Sequence, residues 1–230
     1  LKVDGDIIIG RGVEDNHQGI VSSLALAKAL LDLGLTPEIS YGVLLVADEE
    51  TGSKYGLDYV VRQHPELFGP QDLFLVPDFG EPNSEMIEIA EKSMFWLKVV
   101  VEGRQCHAST PQEGVNSLVG ASALILALER LNSVFDRSDP LFDPPSSTFA
   151  PTKKEANVPN VNTIPGQDVF YLDCRVLPDY PLDDVEQAVR AICNEVEAER
   201  GVRIAFAPVV REQAAPGTPA DCEAARRLDA

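Results

Sequence analysis

Histidine is scarce in this chain: among 230 residues only His17, His64 and His107 carry an imidazole, fewer than a complete histidine-rich metal shell would want. Basic residues are also short, 19 against 37 acidic ones, for a formal charge of −18. Such a field repels phosphate backbones and anionic membrane surfaces, so neither nucleic acid nor membrane is an expected partner. The four cysteines, Cys106, Cys174, Cys193 and Cys222, form no CxxC pair and no regular spacing. That pattern argues against a thiolate zinc site or a disulfide scaffold and fits reduced thiols in a cytoplasmic setting. No run approaches 18 consecutive apolar residues, no basic segment followed by an apolar core opens the chain, and no internal repeat is visible. The sequence starts at Leu1 and stops in "DCEAARRLDA", the opening of an amphipathic helix; it reads as an internal fragment.

What is present is a normally apolar chain, 44% hydrophobic, long enough for one large domain or two small ones. "DGDIIIGRG" reads as a strand and "VSSLALAKALLDLGL" as a helix. "YGVLLVADEE" reads as a second strand, "SKYGLDYVVRQHPELF" as a second helix, and "QDLFLVPDFG" as a third strand. This alternation predicts an α/β segment with a parallel sheet over roughly the first ninety residues. Near Glu91 the pattern changes. "MFWLKVVVEG", "NSLVGASALILALERLNSVF", "NVNTIPGQDVFYLDCRVLP", "LDDVEQAVRAICNEVEAERG" and "VRIAFAPVV" read β-α-β-α-β, with room for one more strand around residues 147–153. A small antiparallel sheet with two helices on one face is expected there.

Acids stand at the ends of all three strands predicted in the first segment: Asp15, the Glu49–Glu50 pair, and Asp78. A parallel sheet would gather them on one edge. Several carboxylates that close raise each other's pKa unless a cation intervenes, and a divalent metal pair is the economical compensation. Carboxylates alone do not choose between zinc, magnesium and manganese. His17 stands near Asp15 and is a lesser candidate, while His64, before Pro65, reads as a surface residue.

Four segments together resemble the co-catalytic dizinc peptidases that include aminoacylases, acetylornithine and succinyl-diaminopimelate deacylases and glutamate carboxypeptidases. They are "GRGVEDNHQG", "ADEETGSKYG", "VEGRQCHASTPQEGVNSL" and "NVNTIPGQDVFYLDCR", in family order. The resemblance implies a partial, parallel-rich α/β catalytic domain over residues 1–90 with a ferredoxin-like α+β lid or dimerisation domain inserted at 91–212. Residues 213–230 would begin the return to the catalytic domain. It further implies two Zn2+, with Co2+ or Mn2+ as substitutes, held by Asp15 as the bridge and by Glu50 and Asp78 as terminal ligands. Glu49 would be the general base, and His107, from a partner subunit, would stabilise the oxyanion. Asn162 and Arg175 would orient the substrate. The implied reaction is hydrolysis of an amide bond in an N-acyl amino acid or small peptide by a homodimer joined through the lid. Two family histidines, one upstream in a His-x-Asp motif and one near the C-terminus, have no counterpart in the chain, so by itself it is expected to bind zinc weakly and to hydrolyse nothing. The Asn16–His17 pair also departs from the family's common Met-Lys, which leaves the substrate subclass open.

Two other readings compete. "IIIGRG" opens like a dinucleotide-binding turn, but the third glycine is missing and Glu14 and Asp15 would face a pyrophosphate. A non-catalytic dimerisation module, pairing edge to edge through residues 91–212, is the stronger alternative.

Overall fold

A computed structural model describes residues 1–81, 83 and 85–229; Ala230, the last residue of the expected return segment, lies outside them. The chain forms two compact units, Leu1–Glu88 with Ala220–Ala230, and Ile89–Pro219.

The second unit is built on four antiparallel strands: β3 (Ser93–Glu102), β5 (Thr148–Lys154), β7 (Gln167–Val176) and β8 (Arg203–Glu212), in the order β5-β7-β3-β8. With α3 (Ser117–Leu128) after β3 and α5 (Leu182–Arg200) after β7, this is the β-α-β-β-α-β ferredoxin-like arrangement. The period of two decides the faces. Phe95, Leu97, Val99 and Val101 of β3 are fully buried, and each intervening residue is half-buried on the other side. Opposite Phe95, Leu97 and Val99 in β7 stand Cys174, Leu172 and Phe170, so one continuous apolar surface forms.

Both helices cover that surface. Helix α5 buries Leu182, Val185, Val189, Ile192, Cys193 and Val196, the i, i+3, i+4, i+7 stripe of an amphipathic helix. Asp183 and Asp184 sit in its first turn, and Gly201 ends it with φ +66°, its N–H donating to the Glu197 carbonyl. Helix α3 is apolar all round and starts at Asn116, whose Oδ1 accepts from the N–H groups of Leu118 and Val119. The stretch Ser117–Val134 is long and apolar enough to pass for a membrane span. Ala121, Leu124 and Leu128 instead pack into the core of this unit, followed by the short helix α4 (Leu131–Val134). The one long helix expected from the sequence is thus broken at Glu129–Arg130.

Trp96 Nε1 is buried without a hydrogen-bond partner among the described residues, whereas the buried Asp168 and Ser93 are paired. Asp168 takes hydrogen bonds from Lys154 and from Asn157 (2.8 Å). The Ser93 hydroxyl accepts from Gln213 Nε2 (2.9 Å) and the Ala214 N–H (2.9 Å), while Gln213 Oε1 accepts from the Leu182 N–H (2.9 Å). Nearby, the Thr218 N–H donates to the Ile89 carbonyl (2.7 Å), joining the two ends of the unit.

The first unit contains β1 (Lys2–Asp4) and β2 (Ile7–Ile9) in a hairpin turning at Gly5 (φ +61°), then α1 (Gln18–Asp32), α2 (Leu57–Gln63) and α6 (Glu223–Leu228). The mixed α/β class holds, but the expected parallel ladder does not form among the described residues. The strand at "DIII" pairs antiparallel with β1. The runs Val43–Val46 and Leu73–Val76 have no ladder partner, and their side chains are 37–80% exposed. A strand of a parallel sheet depends on neighbours for its hydrogen bonds and on helices over both faces; these runs have neither.

Candidate active site

The acids of the first unit are placed by turns. Gly12, at φ +79°, turns the chain into the helical segment Val13–His17, and at Asp15 and Asn16 the backbone leaves helical angles. The Asp15–Asn16 peptide is cis. Asn16 is the local organiser: its Oδ1 accepts from the Gly19 N–H (3.0 Å) and its Nδ2 donates to Asp78 Oδ1 (2.8 Å). Gly19 must be glycine, since a Cβ there would lie 2.3 Å from Asn16 Oδ1 and 2.6 Å from the Pro77 carbonyl oxygen.

Glu49 and Glu50 open a short helical turn, Glu49–Thr51, entered from Asp48 at φ +57°. Asp48 Oδ2 accepts from the Tyr55 N–H (2.8 Å), and its Oδ1 is buried without a hydrogen-bond partner. A Cβ on Gly56 would strike the Ala47 carbonyl at 2.0 Å, so the backbone closes tightly behind the two glutamates. The turn brings Glu50 to Asp15. Their hydrogen bond and mutual repulsion, with a further push from Glu49, hold the Glu50 carboxyl above its ordinary range, opposed by Arg11. Asp15 and Glu50, 35 residues apart, therefore meet, and Asp78 is tied to the residue beside Asp15. No group of three or more His, Cys, Asp or Glu side chains among the described residues is arranged to hold a metal ion. The donor chemistry of the Asp15–Glu50 pair nonetheless fits a divalent cation, whose charge would relieve the repulsion recorded in Glu50. His17 folds its ring against Gly12, and His64 pairs with Glu66 on the surface.

In the second unit a two-residue ladder positions the other polar candidates. Strand β4 (Cys106–His107) pairs with β6 (Thr163–Ile164), and the Ala108 N–H donates to the Asn162 carbonyl (2.9 Å). The ladder places the Asn162 amide 3.5 Å from His107 Nε2. Around His107 Nδ1 lie the Ser109 hydroxyl (2.7 Å) and the Ser109 N–H (3.2 Å). The ribbon is anchored to α3, because the Pro165 carbonyl accepts from both the N–H (3.2 Å) and the hydroxyl (2.9 Å) of Ser117.

Arg175 sits elsewhere. It lies near the far end of β7, on the sheet face opposite the helices, with Nε 2.9 Å and Nη2 3.4 Å from the Asp173 carboxylate and its guanidinium 5.6 Å from the Trp96 ring centre. It is eight residue steps from Gln167, about 26 Å at a ~3.3 Å rise per residue. The His107–Asn162 pair stands at the Gln167 end, where the Gly103 N–H donates to the Gly166 carbonyl (2.8 Å). The structure thus joins Asp15 with Glu50, and His107 with Asn162, but keeps Arg175 apart from the latter pair. A cavity of about 540 Å³ in this unit, lined by Ala90, Leu141, Phe142, Pro178 and Gln213 among others, contains none of these residues.

Sequence reasoning missed Asn16, Asp48, Ser109 and Asp173. Asp173 was within reach, two residues before Arg175 and on the same strand face. The others act through turns whose closure is not written in spacing.

Comparison with known proteins bears on the family. Residues 89–201 match the M20 peptidase dimerisation domain. An uncharacterized metallohydrolase of Methanococcus maripaludis is 44% identical over 202 residues, covering 85% of this chain and 49% of the relative. Succinyl-diaminopimelate desuccinylase of Dinoroseobacter shibae is 28% identical over 214 residues, covering 88% and 53%. Among solved structures, a hydantoinase/carbamoylase family amidase from Burkholderia ambifaria aligns with a TM-score of 0.48 at 27% identity, covering 56% of this chain and 30% of that one. The chain spans about half the length of the curated relatives it matches. The match to the M20 dimerisation domain, with metallohydrolase and desuccinylase relatives of this similarity, supports the M20 peptidase family for this chain.

Proposed function

We propose that the protein is a metal-dependent hydrolase that cleaves an amide bond in an N-acyl amino acid or small peptide. The observation that carries this reading is the meeting of Asp15 and Glu50, two acids whose mutual repulsion a cation between them would relieve. The metallohydrolase and desuccinylase relatives support it. Asp15, Glu50 and Asp78 are the residues that would hold the metal, a zinc pair by family resemblance, with Co2+ or Mn2+ able to substitute. Bound there, it would polarise a carbonyl and acidify water. Glu49, beside Glu50 on an exposed turn, takes a proton from the attacking water and returns it to the leaving nitrogen. His107 and Asn162 offer hydrogen bonds to the developing oxyanion. Arg175, with Asp173 engaging Nε and Nη2, keeps Nη1 for a substrate carboxylate.

The His107–Asn162 pair stands at the Gln167 end of β7 and Arg175 toward its other end, a strand run of about 26 Å, so one small substrate is not expected to reach both within one chain. This favours a homodimer in which a second copy supplies His107 and Asn162. The matched dimerisation domain supports that assembly, as do the free edge of β8 and the exposed Leu118, Val119 and Leu126 of α3. Glu49→Gln in the complete protein is expected to lower kcat by about two orders of magnitude or more while metal stays bound; unchanged turnover would remove Glu49 from the reaction. Light scattering should give twice the chain mass, and Leu126→Asp should return it to one.

A further inference from the structure

We propose that Ser109 is a positioning residue that fixes the hydrogen of neutral His107 on Nε2; the use made of that hydrogen rests on the hydrolase reading above. A neutral imidazole has one N–H and one accepting nitrogen. Two groups contest the assignment. If Asn162 Nδ2 donates to His107 Nε2 across 3.5 Å, the hydrogen must be on Nδ1. If the Ser109 N–H donates to Nδ1 across 3.2 Å, it must be on Nε2.

The two contestants differ in freedom. An asparagine amide can turn end for end and present Oδ1 instead of Nδ2. A backbone N–H can only donate, and its direction is set by the chain. Here the chain is held by the Ala108 N–H on the Asn162 carbonyl (2.9 Å) and the Thr110 N–H on the His107 carbonyl (3.0 Å). The fixed donor decides and the amide adapts. Once Nδ1 is an acceptor, the Ser109 hydroxyl at 2.7 Å turns its hydrogen toward the same nitrogen.

The consequence lies on the opposite side of the ring. Nε2 carries a hydrogen and faces the Asn162 side chain, so the pair can present a donor to a carbonyl oxygen that gains charge. With the other tautomer, a lone pair would face that oxygen and oppose it. Spacing in "CHASTP" gives no hint of this, because the interaction closes over two residues through a backbone group.

Long-range 15N–1H NMR of the chain carrying 15N-histidine, recorded at alkaline pH, reads the tautomer directly. His107 should show Nε2–H as its main form. Ser109→Ala, which removes the hydroxyl and keeps the N–H, should lower the Nε2–H to Nδ1–H ratio about three- to tenfold, and Ser109→Thr should restore it. His17 and His64 should not change. A His107 protonated on Nδ1 in the unaltered chain, or one that moves mainly to Nδ1 in Ser109→Ala although the backbone N–H is kept, would overturn the assignment. An active hydrolase with His107 protonated on Nδ1 would sink this inference alone. A complete protein without amidase activity would sink the hydrolase reading and leave the tautomer result in place.

Discussion

The two units of this chain carry similar densities of apolar residue and use them differently. Every member of the buried cluster lies between Phe95 and Ile204, in the second unit. In the first, Gly19, Gly56 and Ala225 alone are buried among the described residues, while Ile7, Ile8, Ile9, Leu31 and Val76 are 52–82% exposed. Apolar content is therefore not a core. A core forms where a second layer meets the first, as α3 and α5 meet the face of β3 and β7.

That contrast can be tested at three scales. The largest effect should appear in native-state hydrogen exchange. Amides of β3 and β7 should exchange about 10³-fold or more slowly than those of residues 43–46 and 73–76; equal rates would erase the distinction between the units. Next come paired truncations followed by denaturant titration. Leu124→Ala, in the core of the second unit, should cost about 2–5 kcal/mol, and Leu31→Ala, 82% exposed, should stay within about 0.5 kcal/mol. A comparable loss at Leu31 would mean that the first unit buries it in solution.

The smallest effect is electrostatic. Because the folded-state pKa of Glu50 is raised, folding takes up protons, and stability should fall as pH rises from the ordinary carboxylate range through the raised value. Glu50→Gln should flatten that slope in a pH series of melting curves of the first unit. A slope unchanged by the substitution would show that Asp15 and Glu50 do not meet in solution.

How far the sequence could be read follows the same division. The alternation in "MFWLKVVVEG" and the stripe in "LDDVEQAVRAICNEVEAERG" each describe a face whose partner is in the same unit, so reading the face meant reading the fold. "GVLLVA" and "LFLVP" are equally apolar, but their period says nothing about whether anything covers them, and the expected parallel ladder is missing there. Within the site, Asp15, Glu50, His107 and Asn162 were legible as chemistry. The Asn16 bond to Asp78, the two-residue ladder between β4 and β6, and the separation of Arg175 from His107 were not, because each depends on where distant turns close.

The hydrogen bond from Thr218 to Ile89, backed by Gln213 and Ala214 on Ser93, brings the entrance and exit of the second unit to one point. A unit whose two ends meet closes on itself, so once one end is placed the other follows with almost no further closure entropy.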